Sequence, residues 1–267
     1  MRDRGSMRGT AAGVPFVALP PADDRTAAPL VVAWHLMSPP RSEQAMSAAL
    51  PMAGLSAWRV YLGLPMSGER APAGGEEEFF GLATQDYVLN VAEPVTEQAA
   101  AEFPAVVAEL RQRLSVADTA VGVLGGSAGA TVALEVTARQ DVDVRAAALV
   151  SPVTQLAPAV AANERNYGVT YHWSGRSRAV AHRYDFVRRA EELFVDVLLV
   201  VGERDDVAFR EPASALRDAL GERARLVVIP GMEHALAEEP GVEQAPQTEH
   251  AAAVDAEVTE WFRARLG

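Results

Sequence analysis

A chain of 267 residues with 49% hydrophobic content is long and apolar enough to bury one sizeable core. Its 36 acidic residues against 24 basic ones give a formal charge of -12, so most of the surface repels polyanions, and nucleic acid is excluded as the expected partner. Cysteine is absent, which excludes disulfides, thiolate metal sites and a cysteine nucleophile together.

In chain order, the stretch from Met1 to Gly13 carries arginines without the apolar run of a signal peptide, and no later apolar run reaches the length of a membrane span. A cytoplasmic protein with no membrane partner is therefore expected. Short apolar segments at Val14–Leu19, Leu30–Trp34, Trp58–Leu62, Ala120–Leu124, Ala146–Val150, Val195–Val201 and Leu226–Ile229 predict strands. Several lack a polar face, as parallel strands covered on both sides do. Helical patterns fall between them at Ser42–Leu50, Pro94–Leu114, Ala128–Arg139, Arg188–Leu193, Ala213–Leu220 and Ala251–Leu266. The alternation predicts an α/β fold with a mostly parallel, doubly wound sheet, in one domain spanning residues 1–267. Two stretches break the alternation. One is Gly63–Val91, rich in Gly and Pro, with the acidic run Glu76–Glu78. The other is a short cap insert over residues 154–190, carrying Tyr167, Tyr171, His172, Trp173 and Tyr184.

Chemistry concentrates at Gly125-Gly126-Ser127-Ala128-Gly129, a G-x-S-x-G turn directly after one predicted strand and before a helix. A sharp turn there would project the Ser127 hydroxyl, and side chains at Gly125 and Gly129 would collide with backbone. The bland readings are a simple tight turn or a phosphate-cradling loop. The latter ordinarily wants a lysine or a longer glycine pattern. A serine nucleophile needs a base and a carboxylate to orient it. Of the five histidines, His250 begins the last helix, His172 and His182 lie in the insert, and His35 follows an early strand. His234, in the loop after the last strand, remains. Acidic side chains Glu203, Asp205 and Asp206 follow the strand Val195–Val201, at the sheet edge where α/β sites form.

At these residues the chain resembles the α/β-hydrolase superfamily of carboxylesterase-like serine hydrolases, with its elements in the same order from about Val14 to the C-terminal helix. The superfamily's Gly-x-x-Asp is matched by Gly202 and Asp205, with Asp206 standing where a proline is usual. Its closing Gly-x-x-His is matched by Gly231 and His234. The resemblance implies a triad of Ser127, His234 and Asp205, with Asp206 as a partial substitute for Asp205. It implies oxyanion donors at the backbone of Ala128 and Leu36, leucine replacing the usual glycine in the motif that follows His35. His35 would orient that loop or border the substrate, and Met37, Tyr171 and Trp173 are further substrate-binding candidates.

The activity implied is hydrolysis of carboxylic esters of small to medium, partly apolar substrates through an acyl-enzyme intermediate. Thioesterase, lactonase and small prolyl-oligopeptidase-like peptidase chemistry use the same apparatus. A non-catalytic ligand-binding relative is the reading from another class. No metal-ligand spacing or dinucleotide fingerprint occurs, so no cofactor is expected. The expected partner is a small ester-type molecule, and a homodimer through an edge strand or the helix around Trp261 stays open.

Overall fold

A computed structural model describes residues 5–266, so Met1–Arg4 of the N-terminal stretch lie outside the described residues. Eight strands form one sheet: β1 (Met7–Ala11), β2 (Val14–Leu19), β3 (Leu30–Trp34), β4 (Trp58–Leu62), β5 (Val121–Gly126), β6 (Val144–Val150), β7 (Asp196–Gly202) and β8 (Ala224–Ile229). Their order is β1-β2-β4-β3-β5-β6-β7-β8. β2 runs antiparallel to both its neighbours, and every other pairing is parallel. This is the open, mostly parallel sheet of an α/β-hydrolase.

The central strands are apolar on consecutive residues because both faces are covered. Val32 and Trp34 of β3 and Val121 and Val123 of β5 enter one core. That core is roofed by α3 (Glu93–Arg113) and α4 (Ala128–Arg139). Val31, Ala33 and Leu124 enter the other, covered by α1 (Glu43–Ala49) and α8 (Glu249–Leu266). Burial of this kind contributes roughly 25 cal/mol per Å² of apolar surface and dominates the fold's stability.

The remaining helices are α2 (Gly75–Tyr87), α5 (Leu156–Tyr167), α6 (Gly175–Arg183) and α7 (Val207–Leu220). α2 occupies the stretch expected to be irregular. It buries no residue fully: Phe79, Leu82, Ala83 and Tyr87 pack half-buried against the core, a short stripe masked by the Gly- and Pro-rich residues around it. Its acidic run Glu76–Glu78 forms the first turn, where carboxylates complement the helix dipole. β1 was likewise not expected: it is a mostly exposed edge strand with little apolar content. The helix expected at Arg188–Leu193 is only a 3-10 turn at Ala190–Glu192. α7 starts six residues before its expected beginning at Ala213, because Asp206 caps it and Pro212 lies within it rather than at its start.

The insert between β6 and β7 holds α5 and α6 and is fixed to the sheet layer by buried side chains, Leu156, Val160, Tyr184 and Phe186 among them, and by charge. Glu135 of α4, with its side chain 3% exposed, receives Arg139 Nε at 2.9 Å and Arg189 Nη1 at 2.8 Å. Glu97 of α3 receives Arg139 at 2.8 Å and Arg183 at 2.6 Å. Burial would raise the Glu135 carboxyl, but the bonds from Arg189 and Arg139 outweigh it and hold it below the usual carboxylate range. Among the described residues no helix is long and apolar enough to cross a membrane.

Candidate active site

The carboxyl edge of the parallel strands collects the candidate residues. Ser127 leaves β5 with φ 47° and ψ -112°, a left-handed backbone that a non-glycine residue holds only at a cost of about 1–3 kcal/mol. The surrounding glycines explain how the turn closes. A Cβ at Gly125 would stand 2.2 Å from the Gly129 carbonyl oxygen, and one at Gly129 would stand 2.5 Å from the His35 carbonyl oxygen. The turn is held from below: Ser127 N–H donates to the Val150 carbonyl at 2.9 Å, and Val153 N–H donates to the Ser127 carbonyl at 3.3 Å.

Ser127, His234 and Asp205 come together. His234 Nε2 lies 2.9 Å from Ser127 Oγ, and its Nδ1 lies 3.0 Å from both Asp205 oxygens. With the Nδ1 proton facing the carboxylate, Nε2 is left to accept from the serine hydroxyl. The Asp205 side chain is fully buried and also accepts Asp206 N–H at 2.7 Å. Phe209, in the first turn of α7, packs its ring centroid 4.3 Å from that of His234 and limits the imidazole's rotation. Sequence reasoning did not single it out, because nothing in its local pattern separates it from a core aromatic.

Asp206 is engaged elsewhere. It accepts Ala208 N–H at 2.8 Å as the cap of α7 and pairs with Arg165 of α5 at 2.9 and 3.0 Å. Those bonds, the cap foremost, hold its carboxyl below the usual range. The aspartate standing for the usual proline thus ties the insert to the turn that carries Asp205. His172 and His182 are exposed, and His250 sits in the first turn of α8.

The loop after β3 departs from expectation in two ways. Leu36 donates its backbone N–H to the Pro40 carbonyl at 3.1 Å, and its side chain is wholly buried over Gly126. It is therefore committed within its own loop and not presented as an oxyanion donor. The next N–H belongs to Met37, and among the described residues no acceptor takes it. His35 is 1% exposed and touches no site surface: Nδ1 donates to the Leu36 carbonyl at 2.5 Å, and Nε2 accepts Leu64 N–H at 3.0 Å. Burial lowers its pKa to about 4, so it is neutral at pH 7 and orients the loop rather than binding substrate.

This loop is also stitched to the loop that follows His234. Leu236 N–H donates to the Pro39 carbonyl at 3.0 Å, and Arg41 N–H donates to the Gly241 carbonyl at 2.8 Å. The Ser42 hydroxyl bonds the Val242 carbonyl, and Arg41 pairs with Glu239.

Beside Ala128 lies an apolar slot bounded by Met37, Tyr87, Val95, Thr131, Val153 and Leu156. The cavity has a volume of only about 10 Å³, close to the room one water needs. Tyr171 and Trp173 do not line it. They stack edge to face at 4.8 Å between centroids, and the Tyr171 hydroxyl bonds Asp86, so they fasten the insert to α2. Burial and the Asp86 carboxylate push the Tyr171 phenol up to about 12. Tyr87, which does line the slot, was missed because its segment reads as an irregular loop. A larger hollow of about 350 Å³, lined by Arg111, Asp118, Asp141 and Asp143, sits at the opposite end of β5 and β6, remote from Ser127. Among the described residues no group of three His, Asp or Glu side chains could hold a metal.

Residues 84–267 match the model of the prolyl oligopeptidase family. No curated protein matches the chain by sequence. Among solved structures, TT1662 from Thermus thermophilus is similar at 21% identity, covering 99% of this chain and 100% of that one, with a TM-score of 0.66. Est1E from Butyrivibrio proteoclasticus is similar at 17% identity, covering 97% of each chain, with a TM-score of 0.63. The Pyrococcus horikoshii acylaminoacyl peptidase shows 12% identity and a TM-score of 0.66, covering 98% of this chain but 41% of its own.

Proposed function

The chain belongs to the prolyl oligopeptidase family of α/β-hydrolase serine hydrolases, and on that premise we propose that it cleaves carboxylic esters of small to medium, partly apolar substrates. The observation that carries the reading is the unbroken relay of Ser127 Oγ, His234 Nε2 and Nδ1, and Asp205, with each contact at 2.9 to 3.0 Å. In this scheme Ser127 Oγ attacks the substrate carbonyl while its proton passes to His234 Nε2, and buried Asp205 stabilises the imidazolium. The C–O bond then breaks as that proton moves to the departing alkoxide, leaving an acyl-serine. Water repeats the sequence, giving its proton to His234 and releasing the acid and free Ser127.

The developing oxyanion needs donors on the side of Ser127 away from His234. Ala128 N–H, at the start of α4, has no intrahelical acceptor and gains from the helix dipole. Met37 N–H takes the second role in place of Leu36, whose N–H is spent on Pro40. A peptidase reading draws on the family match, and its chemistry differs only in the leaving group.

The test is a panel of p-nitrophenyl esters, acyl thioesters and aminoacyl amides assayed against the parent protein and Ser127→Ala. The expected result is ester turnover that falls by a factor on the order of 10^6 in the variant. Full ester activity in Ser127→Ala would sink the scheme, and preferential cleavage of the amides would move the protein to the peptidases.

A further inference from the structure

The slot beside Ala128 has an unusual roof. Within α2 the backbone of Asp86 turns extended, φ -163° and ψ 94°, and breaks the helix. Asp86 Oδ1 then accepts Leu89 N–H at 3.0 Å, as the cap of a new helical start at Tyr87. A π-helical turn at Val88–Ala92 follows and leads into α3. Widened turns of this kind shift side chains around the helix axis and concentrate at functional positions. Tyr87, between the break and the widened turn, lines the slot together with Ala128 and Met37. The same Asp86 carboxylate receives the Tyr171 hydroxyl from the insert, so the break is held from both sides.

The slot's position relative to the reacting atoms says which part of a substrate it meets. His234 must hand its proton to the leaving oxygen, so the leaving group lies on the histidine's side of Ser127. That side reaches solvent: the His234 side chain is 24% exposed. The acyl group then lies alongside the oxyanion donors, and the slot bordered by Ala128 and Met37 is the recess beside them that receives it. With about 10 Å³ open and Val95, Val153 and Leu156 as walls, the slot admits little beyond a methyl group.

We propose that Tyr87 is a specificity-determining residue that closes the acyl side of the site, so that the preferred substrates are esters of short acids, acetyl above all, with wide tolerance in the alcohol. This rests on the hydrolase reading given above. The ring, not the hydroxyl, is the closing element. Tyr87→Phe therefore keeps the short-chain preference, whereas Tyr87→Ala opens the slot to longer acyl chains.

The experiment measures kcat/KM for p-nitrophenyl acetate, butyrate and octanoate with the parent, Tyr87→Phe, Tyr87→Ala and Tyr87→Leu, the last replacing the ring by a smaller apolar group should the alanine variant fail to fold. Labelling of Ser127 by a small ethyl fluorophosphonate runs alongside. Expected are a parent and a Tyr87→Phe variant that favour acetate at least tenfold over octanoate. In Tyr87→Ala, or in Tyr87→Leu to a smaller degree, that ratio falls tenfold or more while labelling persists. Labelling with an acyl-chain profile that none of the variants alters overturns the assignment of Tyr87 and leaves the hydrolase reading intact. A folded parent that takes no label overturns both.

Discussion

Asp205 and Asp206 are adjacent, yet their carboxylates serve opposite sides of one turn. The first is sealed against His234, and the second caps α7 and holds Arg165. Asp206 cannot swing to replace its neighbour without uncapping a helix. Asp205→Asn should therefore lower kcat by roughly 10^4, with no rescue. Asp206→Ala should cost about 1 kcal/mol in urea unfolding and leave kcat within a few fold. Equal losses of kcat in the two variants would contradict this division.

His35 gives a pH signature at the same scale. Its folded pKa, about 4, lies below the usual 6.5, so protonation favours the unfolded chain. Its contribution to stability is complete above pH 6.5 and is lost as pH falls towards 4. Over that window the parent's unfolding free energy should drop by about 3 kcal/mol more than that of His35→Gln. Parallel curves for the two proteins would show that His35 titrates normally. Ser127 and His234 could be found from sequence because their turns need particular residues at fixed spacings. Leu36 could not be judged that way, since whether a backbone N–H is spent depends on Pro40, four residues on and folded back.

At the scale of elements, what holds a segment decides whether it can be read. The buried strands are fixed by apolar content and fall within a few residues of their expected bounds. α2 packs only half-buried apolar side chains, α5 buries Leu156, Ala159, Val160 and Ala162, and α6 buries only Ser177 and Val180. Their only strong local marker is the Ser174 capping box ahead of α6. The charge cluster around Glu135 is one anchor of the insert. Glu135→Ala leaves Arg139 paired only with Glu97 and Arg189 only with Glu192, and the lost charge-assisted bonds should cost about 1.5–3 kcal/mol of unfolding free energy. Glu135→Gln, which keeps hydrogen-bond acceptance, should lose less. Denaturant titration of both variants checks the order, and a neutral Glu135→Ala would mean the insert is held by packing alone.

At the scale of the molecule, the order of strands, turns and helices follows from patterns that a parallel sheet imposes on sequence. The family match begins at residue 84, so the strands β1 to β4 and the loop after β3 lie outside it. That is also where Leu36 stands in place of the usual glycine. Substrate preference was the least legible property, because it depends on how α2, the π turn and the insert close over Ala128. Tyr87 and Leu156 meet there from positions 69 residues apart.

The stitching of the loop after β3 to the loop after His234 bears on how such a protein can be altered. Pro39, Arg41 and Ser42 are bound to Leu236, Gly241 and Val242 by main-chain and side-chain bonds, across some 200 residues of chain. In a recombined protein these two segments form a single inheritable unit. A graft that exchanges residues 36–42 with a relative must bring residues 234–242 from the same parent, whereas a traded insert must match the ion pairs to Glu93, Glu97, Glu135 and Asp206 and the core packing of Leu156, Tyr184 and Phe186.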